Sequence, residues 1–239
     1  MNAGAPHREA IDLQPEQALP STPAMGHIVR RASWGVIDLD TRTGHIFVQE
    51  EWRYVWQLDP GARPWTLRER RRFHDIADRH IWGTWSRQLR VRPTGTHRLA
   101  NPARDLPIEF DIRWVLAGGH WTVNVRKLTP GTPSPRSWVN FGARLIQLDH
   151  LDGIPYTAGN AAHQSRNNFY TIPHEFGHTL PTAAGSALPV GDEYSAGHAH
   201  LADTDSLMNI GRQVRSRHVQ AVVDELNAML PDLQFSTAP

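Results

Sequence analysis

Apolar positions recur along this chain with two different periods. Thr66 and Glu69 form a capping box, and Phe73, Ile76, Ala77, His80, Ile81, Trp85 and Leu89 follow at helical spacing. Before that helix, Ile28 to Leu58 carries short β-favouring runs, Ile46-Phe47-Val48 and Tyr54-Val55-Trp56, punctuated by Gly and Asp. After it, Ile108, Phe110, Ile112 and Trp114 alternate with polar neighbours, and Trp121, Val123 and Val125 alternate again. Ala117-Gly118-Gly119 lies between the two runs, so the pair reads as a β-hairpin. A further strand, Arg144 to Leu151, follows a loop containing Pro130, Pro133 and Pro135. A closing helix carries Val214, Val219, Val222, Val223, Leu226 and Leu230, and Pro231 stops it.

Residues 1–26 are polar and broken by four prolines, which predicts a flexible tail and leaves residues 27–239 as one domain. All nine tryptophans lie at or before Trp138. The first half therefore reads as an aromatic-rich α+β layer. The second half reads as a helix, an irregular stretch from Thr182 to Arg212, and the closing helix. The expected fold class is α+β.

Composition then narrows the chemistry. The absence of cysteine excludes disulfide scaffolds, thiol nucleophiles, Fe–S clusters and cysteine zinc sites. A net charge of +1 gives no electrostatic footprint for nucleic acid or an anionic membrane, so neither is an expected partner. No run of 18 apolar residues occurs, and the N-terminus lacks a basic segment followed by an apolar one. The expectation is synthesis in the cytoplasm without a signal peptide. Fourteen histidines direct attention to imidazole chemistry.

Ile172-Pro173-His174-Glu175-Phe176-Gly177-His178-Thr179-Leu180 contains a His-Glu-x-x-His motif. Residues four apart share a helix face, so both imidazoles can reach one ion, and Glu175 is placed to accept a proton from water. Ile172, Phe176 and Leu180 form an apolar stripe on the opposite side, and Pro173 suits a first helical turn. Gly191-Asp192-Glu193-Tyr194 places two carboxylates 14 and 15 residues after His178, and Ser206-Leu207-Met208-Asn209 sets a methionine in a polar turn. Consecutive residues of an extended segment point opposite ways, so only one of Asp192 and Glu193 is expected to face an ion bound by the histidines. His198 and His200 read as loop residues, and Arg70-Arg71-Arg72 as a solvated helix face.

Over residues 169–218 these pieces resemble the zincin metallopeptidases, and the Met-containing turn resembles that of metzincins. The resemblance implies an upper subdomain, residues 27–180, with a twisted sheet, a backing helix and the active-site helix. A lower, irregular subdomain with a C-terminal helix would then span residues 181–239. It implies one Zn²⁺ per chain on His174, His178 and a carboxylate, Glu175 as general base, Tyr194 as a transition-state stabiliser and Met208 as a hydrophobic floor. The substrate would be a protein or peptide. Similar cassettes occur in bacterial toxin and effector peptidases, which implies export independent of a signal peptide and a secretion-machinery or immunity protein as partner. The chain departs from metzincins in carrying Pro181 and Ala184 where they place a glycine and the third ligand. The third ligand expected here is Glu193, whose longer arm tolerates the altered spacing, with Asp192 and His218 as alternatives. The rival functions are a zinc hydrolase of other amides and an inactive binding module on the same fold.

Overall fold

A computed structural model describes residues 26–100, 104–161 and 164–238. The expected tail, residues 1–26, lies outside them apart from Gly26. Its central element is the 14-residue strand His45–Leu58, β3, which joins the two apolar runs read as separate. Two strands precede it, β1 (His27–Arg31) and β2 (Val36–Asp40), each antiparallel to its successor. Helix α1 (Leu67–Trp85) follows, and both halves of its Thr66/Glu69 capping box are formed. Its buried residues, Phe73, His74, Ala77, Ile81 and Trp85, recur at helical spacing.

Strands β4 (Arg90–Gly95), β5 (Leu106–Val115) and β6 (Trp121–Lys127) come next. β5 and β6 do not form the expected hairpin. β5 runs parallel to β3 along residues 46–53, and β6 runs parallel to it along residues 52–58 on the other edge. β3 is long enough to take them one after the other. Residues 116–120 carry the chain across β3, where the His120 N–H donates to Glu51 O at 2.9 Å and the Glu51 N–H donates to His120 Nδ1 at 2.9 Å. Alternation reports which face a residue occupies and is silent on strand direction, so the hairpin reading was wrong while the burial of Trp121, Val123 and Val125 holds.

β7 (Trp138–Asn140) and β8 (Leu145–Asp149) complete one edge, and β9 (Tyr156–Gly159) and β10 (Gln164–Phe169) form a separate pair. Helix α2 (Thr171–Gly177) carries the His-Glu-x-x-His motif. After an irregular stretch come a 3-10 turn, Ser216–Val219, helix α3 (Gln220–Met229) and a strand the pattern did not reveal, β11 (Leu233–Thr237). β11 pairs antiparallel with β4, so the end of the chain returns to the main sheet, whose order is β11-β4-β5-β3-β6-β8-β7 with β1 and β2 attached to β3. The fold is α+β, with one large mixed sheet and three α-helices among the described residues. None of these helices is long and apolar enough to cross a membrane.

α1 and α2 meet over the sheet. Trp85 of α1, Phe110 of β5 and Phe176 of α2 pack edge to face at centroid distances of 5.4–6.0 Å. Beneath the end of α2, fully buried Glu50 of β3 accepts the Trp52 indole N–H at 2.8 Å and bonds Thr179 Oγ1, which also bonds Phe176 O at 2.5 Å. One hydroxyl proton cannot serve two acceptors, so a protonated Glu50 satisfies the whole chain. Burial pushes its pKa from 4.5 up to about 8, against the hydrogen bonds from Thr179 and Trp52.

Two outcomes are expected. Gly119 has φ +89°, and a Cβ there would lie 2.9 Å from Glu51 O. Gly119→Ala should lower the unfolding free energy by about 1–3 kcal/mol, and by more than Gly118→Ala, whose Cβ meets nothing. Equal midpoints in urea would contradict the crossing. The second concerns pH. Because native Glu50 binds a proton that the unfolded chain releases near 4.5, its contribution is complete below that pH and is lost as pH rises towards 8. Glu50→Gln should flatten this decline, changing the pH 5-to-8 stability difference by on the order of a few kcal/mol. Parallel pH curves for the two proteins would refute it.

Candidate metal centre

α2 has seven residues, all buried, and no side-chain cap on Tyr170. Helices this short are marginal in water, so packing supplies the order. Ile172, Phe176 and Leu180 are fully buried in the main core, and the Trp85 indole N–H donates to Pro173 O at 2.9 Å. Gly177 lies so close to Met208 Sδ and Trp85 that no Cβ would fit. Met208, fully buried, thus forms a floor beneath the last turn of α2.

His178 continues the helical geometry at the C-cap, so the two imidazoles stand together with ring centroids 4.9 Å apart. The orientation of each ring is set by a backbone carbonyl. His174 Nδ1 donates to Leu207 O at 2.8 Å, and His178 Nδ1 donates to Val190 O at 2.6 Å, because a carbonyl can only accept. Both Nε2 atoms therefore carry lone pairs in the neutral rings. Each lies 3.0 Å from the same oxygen, Asp192 Oδ1. Three electron-pair donors at such separations repel unless a proton or a metal ion lies among them. His174, His178 and Asp192 offer ligand atoms all within 4.8 Å of one another, and this donor set fits a metal ion.

Asp192, where Glu193 was expected, is the carboxylate that stands with the two histidines. The two carboxylates do point opposite ways, and the choice is made on the far side. Arg217 holds the Glu193 carboxylate through Nε at 2.6 Å and Nη2 at 2.8 Å, and the Glu193 N–H donates to Met208 O at 2.8 Å. Burial opposes ionisation of Glu193, but these partners keep its pKa well below the usual range. His218 does not join the two histidines either. Its Nδ1 accepts the Arg215 N–H at 3.1 Å and its Nε2 donates to Glu193 Oε1 at 3.1 Å, which uses both nitrogens. His198 and His200 sit side by side in the loop, apart from the centre.

Burial would raise the Asp192 pKa, yet the contacts with His174 and His178 and the hydrogen bond from Tyr194 lower it strongly. The Tyr194 hydroxyl donates to Asp192 Oδ2 at 2.7 Å, and the Tyr194 ring stacks on His174 at 5.9 Å. Tyr194 thus holds Asp192 and His174 in place in this structure. Glu175 is buried, and its Oε2 has no hydrogen-bond partner among the described residues. Burial raises its pKa, and the charge of Asp192 adds to this against the two histidines.

A cleft of about 740 Å³ opens beside these groups, with His174, Glu175, Tyr194, Arg136, Asp152 and Tyr156 in its wall. Burial and the charge of Asp149 push the Asp152 carboxyl up to about 7. Arg136 donates through Nη2 to Asp192 Oδ2 at 2.9 Å. The sequence reading missed Arg136 and Asp152, because no spacing links residues from the proline-rich loop and the β8–β9 connection to a motif on α2.

No family model, curated protein or solved structure matches the chain.

Titration with Zn²⁺ separates the two carboxylates. Asp192→Ala should weaken binding by more than ~100-fold, whereas Glu193→Ala should stay within the ~10–100-fold cost of losing an outer partner. The reverse order would return the third position to Glu193.

Proposed function

We propose that the chain is a zinc-dependent hydrolase of peptide bonds, in keeping with its resemblance to zincin metallopeptidases. The observation that carries this reading is a buried carboxylate oxygen, Glu175 Oε2, without a hydrogen-bond partner among the described residues, beside three converging candidate ligand atoms at an open cleft. Two imidazoles and one carboxylate are a donor set that suits zinc better than magnesium or calcium, which favour oxygen alone. Three protein ligands leave a coordination position free for chemistry.

When bound, zinc supplies a Lewis acid that polarises a carbonyl and makes water more acidic. The residues perform the rest. His174 and His178, fixed by Leu207 O and Val190 O, hold their lone pairs on one point and need no reorientation to bind. Glu175 has a free oxygen to take the proton of the attacking water and to pass it to the leaving nitrogen. Its raised pKa makes the protonated form a competent acid in that second step. Tyr194 and Arg136 share the outer oxygen of Asp192 and leave the inner one for the ion. Exposed Ile154 and Tyr156 line the cleft and give an extended chain apolar surface to lie against.

The test is hydrolysis of unfolded casein by the zinc-loaded protein. Chelation should abolish it and added zinc restore it. Glu175→Gln should keep one zinc per chain and lose ~10²–10⁴-fold in rate. A variant that keeps more than a tenth of the wild-type rate would remove Glu175 from the role. Zinc binding with no turnover of any peptide would point to a binding module, and turnover of non-peptide amides alone to the other hydrolase class.

A further inference from the structure

We propose that Arg136 determines specificity in this cleft by anchoring a carboxylate of the substrate beside the scissile bond. This rests on the hydrolase reading for the words "scissile bond", but the anchoring itself is a binding property and is tested as one.

Arg136 is the one lysine or arginine among the described residues that line the cleft. It is held in place from both sides. Ser134 Oγ donates to Asp149, and Ser137 Oγ donates to Asp152 Oδ2 at 2.7 Å. The two aspartates are buried, and they are tied to each other, since the Asp149 N–H donates to Asp152 Oδ2 at 2.7 Å. Pro133 and Pro135 stiffen the same segment. The loop is thereby sewn to the β8–β9 connection on either side of a residue whose own side chain is 73% exposed.

The guanidinium lies over the Tyr194 ring, 5.7 Å from its centroid, and bonds the Tyr194 hydroxyl and Asp192 Oδ2 through Nη2 alone. Nε and Nη1 form no hydrogen bond with the described residues. A planar fork with donors to spare matches a carboxylate in two-point contact. One carboxylate group, that of Asp192, separates this fork from the imidazole nitrogens, so an anion bound to it would lie next to the reacting amide. The other titratable acids of the cleft, Glu175 and Asp152, give an anion no positive charge to bind elsewhere along its wall. A single point of attraction fixes register as well as preference. The carboxylate has two sources, the substrate's own C-terminus or an aspartate or glutamate side chain near the cleavage point.

The experiment measures binding without turnover. Zinc-loaded full-length Glu175→Gln protein is titrated with fluorescent alanine-rich peptides in matched pairs: free C-terminal acid against amide, and internal Glu against Gln. One of the pairs should show the acid binding about 10-fold or more tightly, and which pair does so identifies the source. With zinc held at saturation, adding Arg136→Ala should collapse that ratio to near one, and Arg136→Lys should restore part of it. A ratio that survives Arg136→Ala, or no preference in either pair, overturns the proposal. In the active protein the loss should fall on KM for acidic peptides. A fall in kcat that is equal for acidic and neutral peptides would instead assign Arg136 to the transition state and likewise overturn it. An Arg136-dependent ratio in a protein that hydrolyses nothing would sustain the anchoring and sink the hydrolase reading alone.

Discussion

Helix α2 is too short to order itself, and the geometry of the whole centre depends on its being clamped. Phe176 locks against Trp85 and Phe110, Gly177 admits Met208 to contact, and Thr179 ties its end to Glu50 on the central strand. Each clamp comes from a different part of the chain. Because seven residues have few internal hydrogen bonds to lose, the rigidity of the imidazoles is a property of the surrounding core. Gly177 is a tight point, since a Cβ there would force the Met208 side chain to shift.

Four acidic side chains near α2 show how environment sorts chemically equal groups. Glu50 meets an indole and a hydroxyl in the apolar core, and burial drives it towards its neutral form. Glu193 meets an arginine and stays ionised as a structural anchor. Asp192 faces two imidazoles and is left with one oxygen for an ion. Glu175 is desolvated, lacks a partner on one oxygen and borders open space, the condition of a group that exchanges protons.

The arginine-aspartate cluster behind the site acts as a brace. Arg217 joins Glu193 to Asp203, and Arg215 also reaches Asp203, so the Asp-Glu-Tyr segment and the turn before the 3-10 helix move as one piece. Asp192 is thereby presented by a fixed backbone although its segment has no regular structure. The Pro-rich loop is secured by the same device in a smaller form, serines on buried aspartates.

By itself the sequence determined what depends on near neighbours. The capping box and apolar spacing of α1, the split of α2 into a core stripe and a histidine face, and the opposed directions of Asp192 and Glu193 all follow from local periodicity. Only the tertiary structure decided what depends on partners distant in the chain. Alternation cannot tell a parallel strand from an antiparallel one, so β5 and β6 read as a hairpin until β3 was seen to lie between them. The length of a side chain was a poor guide to which carboxylate stands beside the histidines, because Arg217 and His218, 24 and 25 residues beyond Glu193, draw that carboxylate away. Arg136 reached the centre by the same route, through contacts that no spacing in the sequence encodes.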